Sequence, residues 1–551
     1  MPGPIGYVKE RLAARRERAA FLRKPYVVIG EKDGKLLKDR TRRPILVTGP
    51  TECGKTSSVA YPTAFEYSHS MVFWSLKGTE VEDVGKARER FGDVIVLDIA
   101  EPGGACVNVL QWVRKDRLVA DCQYIARRLT ENEKDGVWKN AAFSYLTGVL
   151  VYLLTAAPDA DKNLAGVRRH CLAHDEGLRL MNRDGVHETA RDAARELWDR
   201  SMKTAEQEIR EIDEENEHIE RTGRAPEKDD REDRVLDRSS GIRKSVYFTC
   251  SVLLADFERP EVRESTSRND FFPSDLMCGE RPVSLFLIAR PMDSETMPHV
   301  YKLILSMIVD HLSHFRDRAA DGRPKNWDLL LNIDEFLMLH FQSVKHWIKY
   351  VREAGVRLML LGQSYWEVED EYGKGLTANT RWLDFQPLNM TEAEFIQKSL
   401  GDSIEEVETR SVSRRGLLSV PTVSSGTRVD RRPVFQARDA IEMDGTWYWA
   451  FGWGRAIRVE RLYPWRDGRW KHLYGRSEGT WAAPPGRNPW DGHLVPVPVK
   501  PRRRKAPAGP DSVPDAFRPG DPTRSRGGRG SGKRAREALP PPPDWAEDVA
   551  V

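Results

Sequence analysis

The stretch "ILVTGPTECGKTSS", Ile45 to Ser58, constrains this chain more than any other. An apolar, strand-like run breaks into a loop bounded by Gly49 and Gly54, closes on Lys55 and Thr56, and enters a helix-compatible segment. This is the pattern G-x-x-x-x-G-K-[ST] in the strand, loop and helix setting it requires. Gly49, Pro50, Thr51, Glu52, Cys53, Gly54, Lys55, Thr56 and Ser57 are therefore expected to hold the phosphates of ATP. The loop and the helix N-terminus offer backbone N–H groups, Lys55 reaches the β- and γ-phosphates, and Thr56 ligates Mg2+. Glu52 must point outward, because a carboxylate facing phosphate oxygens is repelled.

Further apolar, β-branched-rich runs recur at "MVFWSL", "DVIVLDIA", "VSLFLIA", "DLLLNIDE" and "RLMLLGQS". Continuous runs of this kind read as parallel strands buried on both faces. Helical patterns such as "MPHVYKLILSMIVDHLSHF" and "VKHWIKYVREAG" lie between several of them, which predicts an α/β sheet covered on both sides. "DLLLNIDEF" ends in Asp334 and Glu335, where a phosphate-loop ATPase carries a magnesium-side Asp and a carboxylate that polarises water. In "VRLMLLGQS", Gln363 follows the end of the strand and is suited to sensing the γ-phosphate. Arg352, in "YVREAGVRL", reads either as a surface arginine at a helix end or as a donor to phosphate in a neighbouring subunit.

The sheet is split in sequence. Between "DIAEPGGACVNVL" and "RPVSLFLIA" helical periodicity dominates, which predicts an all-α insertion over residues 108–279 inside a motor domain formed by 41–107 and 280–480. Its charged stretch Thr204–Arg238 has almost no apolar face and reads as solvent-exposed helices around a mobile loop at "TGRAPEKDD". "GTWYWAFGWG" and "AIRVERLYPW" predict a β-hairpin in a short β-rich C-terminal segment, with its aromatics in the core. Residues 1–40 read as a basic N-terminal segment, with a helix around Arg11 to Lys24 that is either lipid-facing or simply solvated. Residues 497–551, rich in Pro, Gly and Arg, read as a disordered tail, and "KPRRRK" and "RSRGGRGSGKRAR" either bind nucleic acid or keep the chain soluble.

Charge excludes little, since 87 Lys plus Arg against 84 Asp plus Glu leave a formal net charge of only +3. The six cysteines, Cys53, Cys106, Cys122, Cys171, Cys250 and Cys278, lack C-x-x-C spacing and read as free thiols of a reducing compartment. The longest apolar run, Tyr145 to Ala157, is shorter than the roughly 20 residues a membrane span takes, so a buried helix is expected and no transmembrane segment.

The order of these motifs resembles the type IV coupling proteins, the TraG/TraD-like ATPases of conjugative DNA transfer. The resemblance runs collinearly from about Arg43 to Trp465: "GPTECGKTSSVAYPT", "VFWSLKGTEVEDV", "FGDVIVLDIAEP" with "VNVL", "NIDEF", "VREAGVRLMLLGQS" and "YGKGLTANT". Val109 stands where the family usually has proline. The resemblance implies a RecA-like phosphate-loop motor with an inserted all-α domain, working as a hexameric ring around DNA without sequence specificity. It implies ATP and Mg2+ at Lys55 and Thr56, hydrolysis served by Asp334 and Glu335, a sensor at Gln363 and an arginine finger at Arg352. Its implied partners are a relaxase or secreted protein and the components of a secretion channel. Relatives usually carry transmembrane helices before the loop, whereas about forty largely polar residues precede it here. The expected location is therefore cytoplasmic or peripheral at the inner face of the membrane. Two other readings remain: an FtsK- or HerA-like DNA pump of segregation, packaging or repair, and an ATP-switched substrate receptor with little motor activity.

Overall fold

Strands that are apolar on both faces pair most stably in the interior of a parallel sheet, and the apolar runs of this chain do so except "DVIVLDIA", which forms the partly buried strand at the sheet's edge. The computed structural model describes residues 24–475 apart from 102, 132–136, 220–227 and 414–421. Residues 11–23 of the expected N-terminal helix, the tail from 497 onward and residues 222–227 of the charged loop lie outside the described residues. In chain order the strands are β1 (Val27–Lys32), β2 (Lys35–Asp39), β3 (Ile45–Thr48), β4 (Ser70–Ser75), β5 (Asp93–Asp98), β6 (Val283–Ile288) and β7 (Leu329–Ile333). They continue with β8 (Val356–Leu361), β9 (Arg381–Asp384), β10 (Asp402–Ser413), β11 (Thr422–Pro433), β12 (Trp447–Trp453) and β13 (Arg455–Glu460).

Eleven strands form one sheet in the order β2-β1-β13-β12-β9-β3-β8-β7-β4-β6-β5. From β9 to β5 every pair is parallel, and from β9 to β2 every pair is antiparallel. Alternation divides each strand between two cores. Ile45, Val47, Phe73 and Leu330 pack with Val59, Ala64 and Phe65 of the helical segment after the loop. Leu46, Trp74, Leu331 and Leu360 pack on the other face with Leu303 and Ile304 of the helix Pro298–Ser313.

The hairpin expected at "WYWAFGWG" is present as β12 and β13, with Trp447, Tyr448 and Trp449 buried. Two hairpins were not anticipated. Val27–Asp39, within the stretch read as a basic N-terminal segment, forms β1 and β2, joined through Asp33 and Gly34 at φ 50° and 72°. An Asp-Gly pair with both residues left-handed is the turn whose twist matches a hairpin. The second hairpin, β10 with β11, stands apart as a two-stranded sheet.

Among the described residues between β5 and β6 there is no strand. The helix Val137–Ala156 carries the apolar run and buries Tyr145, Leu146, Val149, Leu150, Val151, Leu153 and Leu154 in the same cluster as the sheet. Insertion and sheet thus share one continuous apolar interior. The long helices Glu188–Ile219 and Lys228–Leu253 pack together, and Ala205, Ile209 and Val235 make a small buried seam in the stretch read as having almost no apolar face. Both helices also bury apolar residues in the main core, among them Ala190, Leu197, Val246 and Leu253, and the small seam extends a pairing anchored there. All six cysteines are free. Among the described residues no helix is long and apolar enough to cross a membrane.

Candidate functional site

β3 is buried along its whole length between β8 and β9, so the loop leaving its C-terminal end is held on both sides. The Gly49 N–H donates to the Gln363 carbonyl at 3.0 Å, which ties the loop to the end of β8. Gly49, Glu52 and Gly54 all have positive φ, at 149°, 64° and 87°. Such alternation turns successive backbone N–H groups toward one concavity, the form an anion cradle takes. A Cβ on Gly49 would lie 2.7 Å from Cys53 Sγ and 2.8 Å from Phe385 Cβ, so only glycine fits. Thr51 and Glu52 are exposed, and both border the cleft beside the loop, so Glu52 is not turned wholly away from it as its charge led us to expect. Cys53 packs inward, and burial raises its thiol pKa.

The loop enters a helix whose first turn, Thr56–Ala60, is π-wound before the α-helical Tyr61–Glu66. The Tyr61 N–H reaches back to the Thr56 carbonyl. Pro62 explains the widening, because proline has no N–H to donate and its ring crowds the carbonyl four residues back.

A cleft of about 320 Å³ opens between this helix and the ends of β4 and β7, lined by Lys55, Thr56, Glu80, Asp83, Asp334, Glu335 and neighbours. Lys55 is buried, and its Nζ donates to the carbonyls of Gly49 at 2.8 Å and Pro50 at 3.0 Å. It also lies 3.9 Å from a Glu335 carboxylate oxygen. Thr56 Oγ1 donates to Asp334 Oδ2 at 2.9 Å, and the Glu335 N–H donates to Asp334 Oδ1 at 3.1 Å. Burial, followed by the neighbouring Glu80 charge, pushes the Asp334 carboxyl up to about 7, against the pull of Thr56 and Lys55. Glu335 has left-handed backbone at φ 47° and ψ 47°, a conformation costly for any residue but glycine and characteristic of site residues held by their surroundings.

Lys55, Thr56, Asp334 and Glu335, read from two distant stretches, therefore meet in one cleft. Gln363 touches the loop at Gly49 through its main-chain carbonyl and is not among the residues that line the cleft. Arg352 does not meet it. It is exposed in the turn before β8, at the N-terminal edge of the parallel strands. The six residues of β8 rise about 3.3 Å each, so the two edges stand roughly 17 Å apart, beyond the reach of an arginine side chain.

Two contributors escaped the sequence reading. Glu80, in "SLKGTE", is buried at the cleft floor and accepts from the Ser75 hydroxyl, which in turn accepts from the Gly78 N–H at 2.7 Å. Burial raises the Glu80 pKa. Tyr474, from the last described segment, lines the same cleft with Tyr61 and Asp83. The Lys-Gly turn beside Glu80 was a usable signal, whereas Tyr474 had none. The Thr56 hydroxyl and Asp334 carboxylate are a hard, all-oxygen donor pair, which fits Mg2+.

Residues 9–447 match the family described as "Type IV secretory system Conjugative DNA transfer". The chain belongs to this family. The matched span contains every site residue named from the sequence and stops before Tyr474. Two curated conjugal transfer proteins TraG of Escherichia coli are 27% and 26% identical over 437 and 436 residues, each alignment covering 75% of this chain and 64% of the relative. The chain thus spans about 64% of the length of these relatives. Among solved structures, the unbound bacterial conjugative coupling protein TrwBdeltaN70 matches with TM-score 0.51 and 16% identity, over 82% of this chain and 91% of that one. The plasmid coupling protein TrwB in complex with ADP and Mg2+ matches with TM-score 0.52 and 14% identity, over 82% and 92%. The coupling-protein likeness at these identities is one of fold, and it agrees with the α/β architecture expected from the sequence.

Proposed function

We propose that the chain binds ATP with Mg2+ and hydrolyses it to move DNA, as a coupling protein of conjugative transfer. The observation that carries this reading is the convergence of Lys55, Thr56, Asp334 and Glu335 on one cleft at the carboxyl ends of parallel strands. Lys55 is already aimed into the loop, and it exchanges two carbonyl acceptors for phosphate oxygens when ATP enters. Thr56 and Asp334 would hold Mg2+, which would supply Lewis-acid stabilisation of charge on the phosphates. Glu335, fixed in left-handed backbone at the mouth of the cleft, accepts hydrogen bonds from water and orients it for attack. Arg352 reaches phosphate only from a second copy, which supports a ring, and a homo-hexamer is the proposed form.

Residues 41–107 and 280–480 are proposed as the motor and 108–279 as its insertion, with a relaxase–DNA or protein substrate delivered to a secretion channel at the inner face of the membrane. Gln363 is proposed to report γ-phosphate through the Gly49 contact of its main chain. The test is hydrolysis by wild type and Glu335→Gln, with and without single- and double-stranded DNA, at two salt concentrations. DNA-stimulated hydrolysis that weakens with salt and vanishes in the variant is the expected result. ATP binding with no DNA response would replace the motor by an ATP-switched receptor.

A further inference from the structure

At the opposite edge of the sheet lies a second cleft, of about 530 Å³, whose lining includes Arg40, Arg42, Arg316, Arg352, Asp328 and Glu353. Its cations are not equivalent. Arg42 is committed to Asp328 by two bonds of 2.6 and 3.0 Å. Arg40 donates to the Lys24 carbonyl at 2.7 Å and lies over the Tyr26 ring. Arg316 and Arg352 are both exposed, and among the described residues neither has a carboxylate within 4.0 Å.

Lys325 joins the segments that carry these two arginines. Its ammonium donates to the carbonyls of Phe315 at 2.7 Å and Arg316 at 3.4 Å on one side, and of Ala354 at 2.8 Å on the other. Three acceptors use all three ammonium protons and lock the Arg316 segment to the turn that holds Arg352. The edge is thereby built to present two guanidinium groups at a fixed spacing. The nucleotide cleft presents the complementary sign, since Glu52, Glu80, Asp83, Asp334 and Glu335 line it and ATP adds phosphate charge. A head-to-tail contact between copies brings one edge against the other.

We propose that Arg316 acts beside Arg352 as a second arginine on the phosphates of ATP bound by a neighbouring copy, and that Lys325 is the positioning residue that sets their separation. The inference rests on the function proposed above. MgATP hydrolysis by the full-length chain, followed across protein concentration, tests it. Arg316→Ala is expected to lower kcat at least about tenfold while KM for ATP stays unchanged, because the guanidinium acts on the charge that develops on the phosphates in the transition state. Mixing Arg316→Ala with Glu335→Gln, each slow alone, is expected to restore hydrolysis, since some junctions then combine an intact Glu335 with an intact Arg316. Lys325→Ala is expected to lower kcat in the same sense and Lys325→Arg to recover part of it. If Lys325→Ala does not fold, the Arg316 variant and the mixing experiment still decide. A wild-type kcat for Arg316→Ala, or two variants that stay slow when mixed, overturns the inference and leaves the proposed function standing. A wild type that hydrolyses no ATP at any concentration overturns the proposed function and the inference with it.

Discussion

The two edges of the parallel sheet hold opposite chemistry, and each edge sorts its charges differently. At the carboxyl edge Asp334, Glu335 and Glu80 line one cleft with Lys55, and the Asp334 carboxyl is pushed up to about 7 by burial and by the Glu80 charge. At the amino edge the arginines divide into paired and unpaired sets. Arg357 and Arg381 share Asp39, Arg42 holds Asp328, and Arg316 and Arg352 face the cleft. Charge left uncompensated at one edge is of the sign that the other edge, once loaded with phosphates, needs. On the head-to-tail assembly proposed above, the nucleotide cleft of a single copy is chemically half a site.

The largest effect should come from the carboxyl edge. Glu335→Gln keeps the size and hydrogen-bonding capacity of the side chain and removes its basicity, so hydrolysis should fall by about 10²–10⁴-fold while ATP binding persists. Single-turnover hydrolysis alongside equilibrium binding of ATP checks this. Equal losses in both would mean that Glu335 serves binding, and the contrast between the edges would need redrawing.

At the amino edge the matching experiment concerns a paired set. Asp39 is buried and bonds Arg357 Nη2 at 2.8 Å, Arg381 Nη1 at 2.5 Å and the Thr41 hydroxyl at 2.8 Å. Burial alone would raise its pKa, but the Arg357 charge and the Arg381 bond outweigh it and hold the carboxyl below its usual range. Asp39→Ala strands two largely buried guanidinium groups and should cost about 3–5 kcal/mol in denaturant unfolding. A loss below about 1 kcal/mol would show that these arginines are not held by Asp39, and would blur the line between paired and free.

A third carboxylate tests pH. Asp384, at the end of β9, is fully buried; burial pushes it up to about 8 while the Thr48 hydroxyl at 2.8 Å pulls the other way. Between about pH 4 and 8 the folded chain holds a proton that the unfolded chain has lost, so stability falls as pH rises through that window and levels off above it. Asp384→Asn should remove this slope. The variant should match the wild type near pH 4 and exceed it above pH 8 by an amount on the order of a few kcal/mol. Parallel pH profiles for the two proteins would show that Asp384 titrates normally.

What the sequence disclosed follows from how many positions each feature constrains. The nucleotide loop was legible because close backbone approach demands glycine and charge demands lysine at fixed spacing, and the parallel strands because burial on both faces removes polar residues from whole runs. Asp334 and Glu335 were legible as a strand-end pair. Glu80 had only the neighbouring Lys-Gly turn to mark it, since in "GTEVEDV" one acid among several looks like a solvated helix face, and only the fold buries it. Tyr474 reaches the cleft from more than four hundred residues after the loop, and no local pattern carries that information. The β1–β2 hairpin was readable from "EKDGKLL", but the surrounding basic residues drew the reading elsewhere. Arg352 was named as a residue, yet its place on the far edge, which makes it useless to its own nucleotide, is a property of the sheet.

The smallest expected effect sharpens the sorting of the arginines. Arg42 and Asp328 form a two-point pair whose arginine is 48% exposed, so water screens it and the pair is worth only about 0.5–1 kcal/mol. Arg42→Ala should shift thermal unfolding by a few degrees at most, and it should leave kcat untouched, because the charge it removes is already spent on Asp328. Arg316→Ala removes a charge from the same cleft at a position with no such partner. If Arg42→Ala slows hydrolysis as much as Arg316→Ala does, the cleft acts through its summed potential, and no division into paired and unpaired guanidinium groups describes it.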